Sequence, residues 1–447
     1  MKRLLKGGRV VDPGRGLDGV FDVLIDGDRI VRVTSTLAPA EAGDALVIDV
    51  PPGCVVCPGF IDMHVHLREP GQEHKETIAT GTAAAAAGGF TAVACMPNTE
   101  PVNDTASVTQ YIFERAADAG SVRVYPIGAV SRGSKGEQLA EIAELRGAGC
   151  VAVSDDGRPV ASAALMRRAL EYAGMLKMPV IDHCEDPSLK GDGVAHEGYT
   201  ASVLGLRGIP SAAEEVMVAR DVALAAATGG AVHIAHVSSR GSLRAIRDGR
   251  TRGVRVTCEV TPHHFTLTDE WLAAPLSYDT NLKMNPPLRE AADRDALVAG
   301  LADGTIDAIA TDHAPHHYDE KAVEFDRAPF GVVGLETAVS LALDRLVHAG
   351  IIGLPRLVEL FSLNPARILS VGGGSLVEGG PADLTILAPE LGVTVEAARF
   401  RSKSRNTPFD RWRLRGGVAA TIVGGETVYV NEAVHGAGSF RSVPVGR

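Results

Sequence analysis

Short apolar runs alternate with longer amphipathic segments from residue 54 to about residue 350. The apolar runs predict eight strands, in VVCPGFIDMHVH, FTAVACMPN, VRVYPIGAV, CVAVSDD, PVIDHCED, AVHIAHVS, VRVTCEVTPHH and DAIATDHAP. The amphipathic segments predict helices, in SVTQYIFERAADAG, EQLAEIAELRGAG, SAALMRRALEYAGMLK, EEVMVARDVALAAATGG, RDALVAGLADG and GLETAVSLALDRLVHAG. Many of them end at glycine, which favours a left-handed C-terminal cap. Eight successive strand–helix units predict an α/β fold, a (β/α)8 TIM-like barrel.

An open, doubly wound parallel sheet is the alternative fold. That fold predicts a glycine-rich phosphate-binding turn after the first strand. The chain has HVHLREPG at that position, which does not fit such a turn. The barrel is therefore the favoured fold.

The two ends of the chain have a different pattern. GRVVDPGRG, FDVLIDGDRIVRV and ALVIDV near the start, and ADLTILAP and VAATIVGGETVYV near the end, predict short strands separated by turns. We expect residues 1–53 and 373–447 to form one small β-sandwich domain from both termini, with residues 54–372 as the barrel. The tail after Val430 is expected to be mobile.

Composition narrows the class of protein. The 447 residues are 45% hydrophobic and 22% charged, as in an ordinary globular protein, with a formal net charge of −11. This balance argues against a nucleic-acid-binding surface but allows a small acidic substrate at a local positive site. The N-terminus does not resemble a signal peptide, no apolar run is long enough to cross a bilayer, and six cysteines do not make a disulfide framework. We expect a cytoplasmic protein.

Polar side chains gather where the predicted strands end. In PGFIDMHVHLREPG, the alternating His64, His66 and Arg68 share one face of a strand. In CVAVSDD the same alternation turns Asp156, and not Asp155, toward the barrel interior. The ends of strands one, four, five, six and eight together carry His64, His66, Asp156, His183, His236 and Asp312. Active sites of this fold occupy that end of the barrel.

Each of these residues alone has an ordinary structural explanation, such as a hydrogen-bonded core histidine or an aspartate helix cap. Six of them at the ends of five strands indicate a site for divalent metals, zinc (Zn2+) first. His64, His66 and Asp312 can hold one ion and His183 with His236 a second, with Asp156 between them. Paired metals of this kind share a hydroxide that attacks carbonyl carbon. The sequence therefore predicts metal-assisted hydrolysis of an amide-like bond.

A resemblance to a known family rests on segments along nearly the whole chain: DMHVHLREPG, MPNTEPV, SDDG, DHCED, AHVS, TPHH, KMNPPLR, ATDHAPH, APFGVVGLET and NTPFD. The chain resembles class I dihydroorotases of the amidohydrolase superfamily, which interconvert N-carbamoyl-L-aspartate and L-dihydroorotate in pyrimidine (UMP) synthesis. The resemblance implies two zinc ions per subunit, bridged by Asp156 and a hydroxide. It assigns His64, His66, Asp156 and Asp312 to one zinc, and His183, His236 and Asp156 to the other.

The same resemblance implies which residues contact the substrate: His66, Arg68, Asn98, Asn285, His316, Phe330 and Gly331. A planar guanidinium can grip the carboxylate of dihydroorotate with two hydrogen bonds, which would explain Arg68. Asn98 has inward parity on its strand, and His316 follows Asp312 in the last loop. We expect Asp312 to be the catalytic residue that takes a proton from the attacking water. A surface salt bridge, a turn asparagine and a loop histidine are the structural alternatives for Arg68, Asn98 and His316.

Two rival functions belong to related proteins. Hydantoinases and allantoinases use a carboxylated lysine near the end of the fourth strand, where this chain has CVAVSDDG and no lysine. Inactive relatives that serve as structural partners of aspartate transcarbamoylase have typically lost metal ligands, which are all present here. The resemblance makes a homo-oligomer and an association with aspartate transcarbamoylase plausible, and the residues decide neither.

Overall fold

The computed structural model describes residues 1–273 and 278–441. Its strands in chain order are β1 (Lys2–Asp12), β2 (Leu17–Asp26), β3 (Arg29–Thr34), β4 (Leu46–Asp49), β5 (Val55–Pro58), β6 (Phe60–Val65), β7 (Phe90–Cys95), β8 (Arg123–Pro126), β9 (Val153–Ser154), β10 (Val180–Asp182), β11 (Ala195–His196), β12 (Gly208–Ile209), β13 (Val232–Ile234), β14 (Val256–Val260), β15 (Ala308–Ile309), β16 (Leu384–Thr394), β17 (Arg413–Val423) and β18 (Glu426–Val430).

The α-helices are α1 (Pro39–Ala42), α2 (Ile78–Ala87), α3 (Ala106–Ala119), α4 (Ile142–Ala148), α5 (Ala163–Met175), α6 (Pro187–Lys190), α7 (Tyr199–Leu204), α8 (Ala212–Thr228), α9 (Arg240–Thr251), α10 (Pro262–Thr266), α11 (Ala291–Asp303), α12 (Tyr318–Lys321), α13 (Ala338–Ala342), α14 (Leu354–Val358) and α15 (Asn364–Leu369). Two π-helical segments, Leu343–Val347 and Glu359–Leu363, continue α13 and α14.

Two parallel sheets contain a strand from each of the eight predicted runs. One sheet has the order β6-β7-β8 and the other β15-β14-β13-β10-β9. Parallel bridges connect the sheets at both edges, from Gly128 to Val153 and from Val65 to His313. The predicted α/β fold with parallel sheets is confirmed.

Helices between these strands begin and end where local chemistry allows. Thr77 and Thr80 form a capping box at the start of α2, which satisfies backbone N–H groups that have no partner inside the helix. Gly149, Gly229 and Gly304 follow α4, α8 and α11 with positive φ angles, as the glycine endings of the sequence predict. No helix in the described ranges has both the length and the apolar character needed to span a membrane.

Alternation along the strands separates two apolar layers. On β15, Ala308 packs with an inner cluster that contains Ile61, Met63 and Ala94, whereas Ile309 packs with the cluster on the helix side. The inner residues are mostly small, so side chains from opposite strands can fill the space between the sheets. Residues beyond the strand ends then project into the region above this inner core.

Strands from both ends of the chain lie in one eight-stranded sheet. Its order is β18-β17-β16-β5-β1-β2-β3, and β4 pairs with β1. The core of this terminal sheet combines residues such as Val10 and Ile25 with Ile386 and Ile422. The first and last segments of the chain therefore fold together.

The predicted barrel boundary at residue 54 is wrong by several residues. Val55–Pro58 pair with β16 in the terminal sheet, and the chain enters the parallel sheet only at Phe60. The turn is made at Gly59, where a Cβ atom would lie 2.2 Å from Thr91 Oγ1. Cys57 pairs with Thr385 and therefore belongs to the terminal sheet and not to the first barrel strand.

The expected mobile tail is also wrong for the residues that the structure describes. A 3-10 helix at Ala437–Phe440 follows β18, and both of its end residues are fully buried in the core of the terminal sheet. Thr427 Oγ1 donates a hydrogen bond of 2.6 Å to the Phe440 carbonyl. Residues 442–447 of the same tail lie outside the described residues.

Candidate active site

His64 lies at the end of β6 with its two ring nitrogens in different surroundings. Nδ1 donates to Glu259 Oε1 at 2.6 Å, which leaves Nε2 as the nitrogen available to a metal. Nε2 is buried without a hydrogen-bond partner, 3.5 Å from an oxygen of Asp156 and 3.5 Å from one of Asp312. Burial acts to lower the pKa of His64, but Asp156, Glu259 and Asp312 raise it well above its usual value, so the ring is protonated without a metal, and a metal would displace that proton and take the lone pair.

His66 is oriented in the same way, two residues further along. Its Nδ1 donates to Asn98 Oδ1 at 2.9 Å, so Nε2 carries the lone pair. Nε2 lies 2.9 Å from Asp312 Oδ1 and 3.6 Å from Asp156 Oδ2. Asn98, which the sequence suggests as a substrate contact, thus also holds this imidazole in place.

The two neighbouring aspartates after β9 point in different directions. Asp155 accepts hydrogen bonds from Ser131 N at 2.9 Å and from the Ser131 hydroxyl. Asp156 instead faces the histidines, with Oδ1 3.6 Å from His183 Nδ1 and 3.4 Å from His236 Nε2. The carboxylate of Asp156 therefore lies between two pairs of imidazoles.

His183 follows β10 and His236 follows β13, and their facing nitrogens are 2.9 Å apart. The outer nitrogen of His183 lies 3.5 Å from Glu185 Oε2 and 3.1 Å from Asn285 Nδ2. Glu185 can accept the proton of that outer nitrogen, which leaves Nδ1 for a ligand on the side of Asp156. The structure thus brings all six predicted metal-ligating residues together.

The donor set fits two divalent cations. His64, His66 and Asp312 place ligand atoms within 4.8 Å of one another, and His236 does so with Asp156 and His64. His183 Nδ1, His236 Nε2 and Asp156 Oδ1 form a second close set. Asp156 Oδ1 is buried without a hydrogen-bond partner, an arrangement that is costly unless a cation or water satisfies it. Imidazole and carboxylate ligands of this kind suit zinc.

The charges of the cluster keep its carboxylates ionised. Burial acts to raise the pKa of Asp156, but the charge of His64 and the nearby imidazoles of His183 and His236 lower it well below its usual value. Asp312 has the same balance, with burial opposed by His64 and His66, and its pKa is also lowered. Ionised carboxylates are the form that ligates a metal or accepts a proton.

Three of the eight non-glycine residues with a positive φ angle in the described ranges lie at this site. Arg68, His236 and Asp312 have φ angles of 61°, 31° and 46°, in the left-handed region that residues other than glycine rarely adopt. Such conformations persist where the surrounding structure holds them, and they often accompany function. Here they turn the three side chains as the chain leaves strands β6, β13 and β15.

Arg68 is buried beside the histidines without a carboxylate of its own. Its Nε donates to the Pro315 carbonyl at 3.2 Å, and within residues 1–273 and 278–441 no carboxylate comes within ion-pair distance of its guanidinium. Burial lowers the pKa of Arg68 to about 10, so the group remains charged at neutral pH. A buried guanidinium without a carboxylate at ion-pair distance favours an anionic partner.

His316 and the Phe330–Gly331 backbone form the neighbouring wall. His316 Nε2 donates to the Phe330 carbonyl at 2.8 Å. Burial and the charge of Arg68 lower the pKa of His316 to about 3, so this imidazole is neutral. Gly331 has a φ of 126°, and a Cβ atom there would lie 2.7 Å from Ala314 Cβ. The two loops therefore meet at a point where only glycine fits.

Sequence reasoning missed the residues that orient the histidines. Glu259 on β14 binds His64, and its second oxygen lies 3.2 Å from His233 Nε2. Both Glu259 and His233 occupy inward positions of their strands, while Cys258 and Ile234 pack toward the helices. A charged residue at an inward position of an apolar strand was the available signal.

Comparisons with known proteins agree with this geometry. A family model described as Dihydro-orotase-like matches residues 53–242. The dihydroorotases of Pelotomaculum thermopropionicum and Geobacter metallireducens are 57% and 54% identical over 97% and 96% of this chain, and over 100% of their own lengths. The fold also resembles the dihydropyrimidinase of Brevibacillus agri NCHU1002, with 25% identity, a TM-score of 0.84 and 97% and 96% of the two chains covered. The fold is also similar to that of an L-hydantoinase of Arthrobacter aurescens, with 24% identity, a TM-score of 0.85 and 96% of each chain covered. The chain belongs to the dihydroorotase family.

Proposed function

We propose that this protein is a zinc-dependent dihydroorotase that interconverts N-carbamoyl-L-aspartate and L-dihydroorotate in pyrimidine synthesis. The observation that carries the proposal is the buried Arg68 guanidinium, which has no carboxylate within ion-pair distance in the described part of the chain and lies next to a cluster of four histidines and two aspartates. The cluster suits hydrolysis of an amide, and the guanidinium suits a substrate that carries a carboxylate. Dihydroorotate combines both features in one small ring.

Two zinc ions would be held by the two halves of the cluster. His64, His66 and Asp312 would hold one, His183 and His236 the other, and Asp156 would bridge them through its two oxygens. Zinc bound there would polarise the amide carbonyl and lower the pKa of water. The hydrogen bonds from His64 to Glu259 and from His66 to Asn98 support this assignment, because each directs the other ring nitrogen inward.

Asp312 would move the proton. In hydrolysis, water adds to the ring carbonyl, its proton passes to Asp312 Oδ, and the carboxyl group then delivers it to the ring nitrogen as the C–N bond breaks. The lowered pKa of Asp312 supports the role, since the residue begins as a carboxylate able to accept the proton. Ring closure requires the reverse, with Asp312 protonated first.

Arg68 would bind the substrate carboxylate through its two terminal nitrogens, because Nε is already bonded to Pro315 O. Asn98 would contribute its amide N–H groups, since Oδ1 is held by His66. His316, Asn285 and the Phe330–Gly331 backbone would complete the pocket. Arg68 follows His66 in the same loop, and His66 Nε2 lies 2.9 Å from Asp312 Oδ1, so carboxylate recognition would take place beside the reacting amide.

We further infer that the eight parallel strands close into a (β/α)8 barrel and that the terminal sheet forms a small β-sandwich domain. The two bridges between the parallel sheets, Gly128–Val153 and Val65–His313, support closure. The pairing of β5 with both β1 and β16 supports one domain from the two termini. A cytoplasmic location agrees with six free cysteines, all buried. Self-association and association with aspartate transcarbamoylase remain predictions from the family resemblance.

A cyclic amidohydrolase of the hydantoinase type is the second candidate, because hydantoinases share the fold. The position of Asp156 argues against it. This carboxylate occupies the place between the histidine pairs, where the hydantoinase type would need a carboxylated lysine. A hydantoin ring also lacks the carboxylate that Arg68 would bind.

The experiment compares zinc-loaded wild-type protein with Arg68→Met and Arg68→Lys on dihydroorotate and on hydantoin. Loss of a charge-assisted carboxylate contact costs about 2–4 kcal/mol, so kcat/KM for dihydroorotate should fall about 30-fold to 1000-fold in Arg68→Met. Arg68→Lys should recover part of the loss, and zinc content should not change. Equal kcat/KM of Arg68→Met and wild type on dihydroorotate, or wild-type preference for hydantoin, would exclude the proposal.

A further inference from the structure

Asn406 is a buried residue of the NTPFD segment, which lies between the 3-10 helix at Ala397–Arg399 and strand β17. Its side-chain amide bonds two loops at once. Oδ1 accepts from His316 N at 3.2 Å, and Nδ2 donates to Ala314 O and to Gly331 O, each at 3.1 Å. Its own carbonyl accepts from Val333 N at 2.9 Å. One residue from outside the parallel sheets thus connects two walls of the candidate active site.

The loops that Asn406 joins carry His316 and the Phe330–Gly331 backbone, and one of them also supports Arg68. Pro315, between the two residues bonded by Asn406, accepts the hydrogen bond from Arg68 Nε. His316 in turn donates to Phe330 O, next to Gly331. Arg68 and His316 therefore depend on one loop that Asn406 holds, and Phe330 depends on the other.

The two loops, at Ala314–His316 and Phe330–Gly331, are packed so closely that their distance can change little. A Cβ atom on Gly331 would meet Ala314 Cβ at 2.7 Å and His316 Nε2 at 3.2 Å, so the backbones already touch. The carbonyls of Ala314 and Gly331 both point at the same amide nitrogen, and two carbonyl dipoles so placed repel each other unless N–H groups lie between them. An asparagine amide supplies two donors and an acceptor in one plane, which suits the two carbonyls and the His316 N–H.

We propose that Asn406 is a positioning residue that sets the geometry of the carboxylate-binding wall formed by Arg68, His316 and Phe330–Gly331. The inference rests on the proposed function. Asn406 does not touch the metal-ligating histidines, so its contribution is to substrate recognition and not to zinc binding or to the proton transfer by Asp312. Removing the Asn406 side-chain amide should weaken the binding of every ligand that carries the carboxylate, including ligands that cannot react.

The test uses full-length, zinc-loaded protein and the variants Asn406→Ala and Asn406→Asp. Asn406→Asp keeps the size and the acceptor but turns a negative oxygen toward the two carbonyls. The measured quantities are kcat and KM for dihydroorotate, zinc content, and the inhibition constant of orotate, an unreactive ring with the same carboxylate. We expect KM and the orotate inhibition constant to rise together, at least fivefold, in both variants. The factor by which kcat falls should be smaller than the factor by which either constant rises, and the zinc content should not change.

Asn103→Ala is the matched control, because Asn103 is a fully buried asparagine that bonds Ile127 O and Thr109 away from this wall. It should lower stability and leave both constants unchanged. If Asn406→Ala does not fold, Asn406→Ser is judged by the same criterion. A rise below fivefold in the orotate inhibition constant, or an equal rise in Asn103→Ala, overturns the positioning role. An inactive wild-type protein would instead refute the proposed function.

Discussion

The chemistry of single residues at this site depends on which atom faces inward. His64 and His66 each give the outer ring nitrogen to a protein acceptor, Glu259 or Asn98, and present the other nitrogen to the cluster. Adjacent aspartates are divided in the same way, with Asp155 bonded to Ser131 and Asp156 facing the histidines. Side-chain direction, and not residue type alone, separates a ligand from a structural group.

Replacing each aspartate by its amide tests this division. Asp156→Asn should lose at least one zinc per chain and reduce turnover of dihydroorotate by more than 100-fold, because an amide is a poor bridge between two cations. Asp155→Asn keeps an acceptor for Ser131 and should retain its zinc. Metal analysis after gel filtration, together with a dihydroorotate assay, provides the comparison. Equal zinc loss in the two variants would contradict the assignment.

Individual strands contribute support as well as ligands. Glu259 on β14 reaches across the inner side of the sheet to His64 on β6, and it also contacts His233 on β13. Burial raises the pKa of Glu259, but the nearby His64 charge and hydrogen bonds from His233 and His64 lower it to about 2. An ionised Glu259 would strengthen His64 as a metal ligand by accepting the hydrogen bond from its Nδ1–H group.

The variant Glu259→Gln should weaken zinc binding without removing any ligand. Partners of this kind typically contribute tenfold to 100-fold in metal affinity, and we expect a change in that range because the amide still accepts a hydrogen bond but carries no charge. Competition with a chromogenic zinc chelator measures it. Glu171→Gln, on the surface of α5 beside Arg167, is the control. Unchanged affinity in Glu259→Gln would exclude the supporting role of β14.

The whole molecule joins the parallel sheets to segments from the C-terminal region. Glu336, just before α13, accepts hydrogen bonds from the backbone N–H groups of Arg401 and Ser402 at 2.8 and 3.1 Å. Ser402 also donates to Glu76, and Asn406 follows in the same segment. Burial is the main influence on Glu336 and raises its pKa to about 7, against the backbone hydrogen bonds that lower it.

The raised pKa of Glu336 predicts how the free energy of unfolding depends on pH. Because the pKa of Glu336 is higher in the folded state than in the unfolded state, its contribution is fully present below about pH 4.5 and is lost as pH rises through about 7. The free energy of unfolding of wild type should fall relative to Glu336→Gln by on the order of 2 kcal/mol between pH 5 and 8. Urea titrations of both proteins measure the difference. Parallel pH profiles would show that Glu336 does not titrate in this window.

Local sequence patterns predict part of this structure. The rest depends on contacts between residues that are far apart in the chain. Alternation along a strand is local, so it turns Asp156 and Ala308 inward from sequence alone, as the structure has them. The pairing of His64 with Glu259 spans 195 residues and depends on the register between distant strands. Pro58-Gly59 is a local turn signal, but the sequence does not show that the buried strands on its two sides, Val55–Pro58 and Phe60–Val65, belong to different sheets.

In the proposed mechanism, zinc bound at this cluster makes the hydrolysis of dihydroorotate possible. The most direct test measures zinc per chain in purified protein and follows dihydroorotate hydrolysis by its ultraviolet absorbance, before chelation, after chelation and after zinc is returned. The proposed mechanism predicts two zinc ions per chain, loss of turnover in the chelated protein, and recovery when both ions are restored. Undiminished hydrolysis by zinc-free protein, or a fully zinc-loaded protein that does not hydrolyse dihydroorotate, would contradict it.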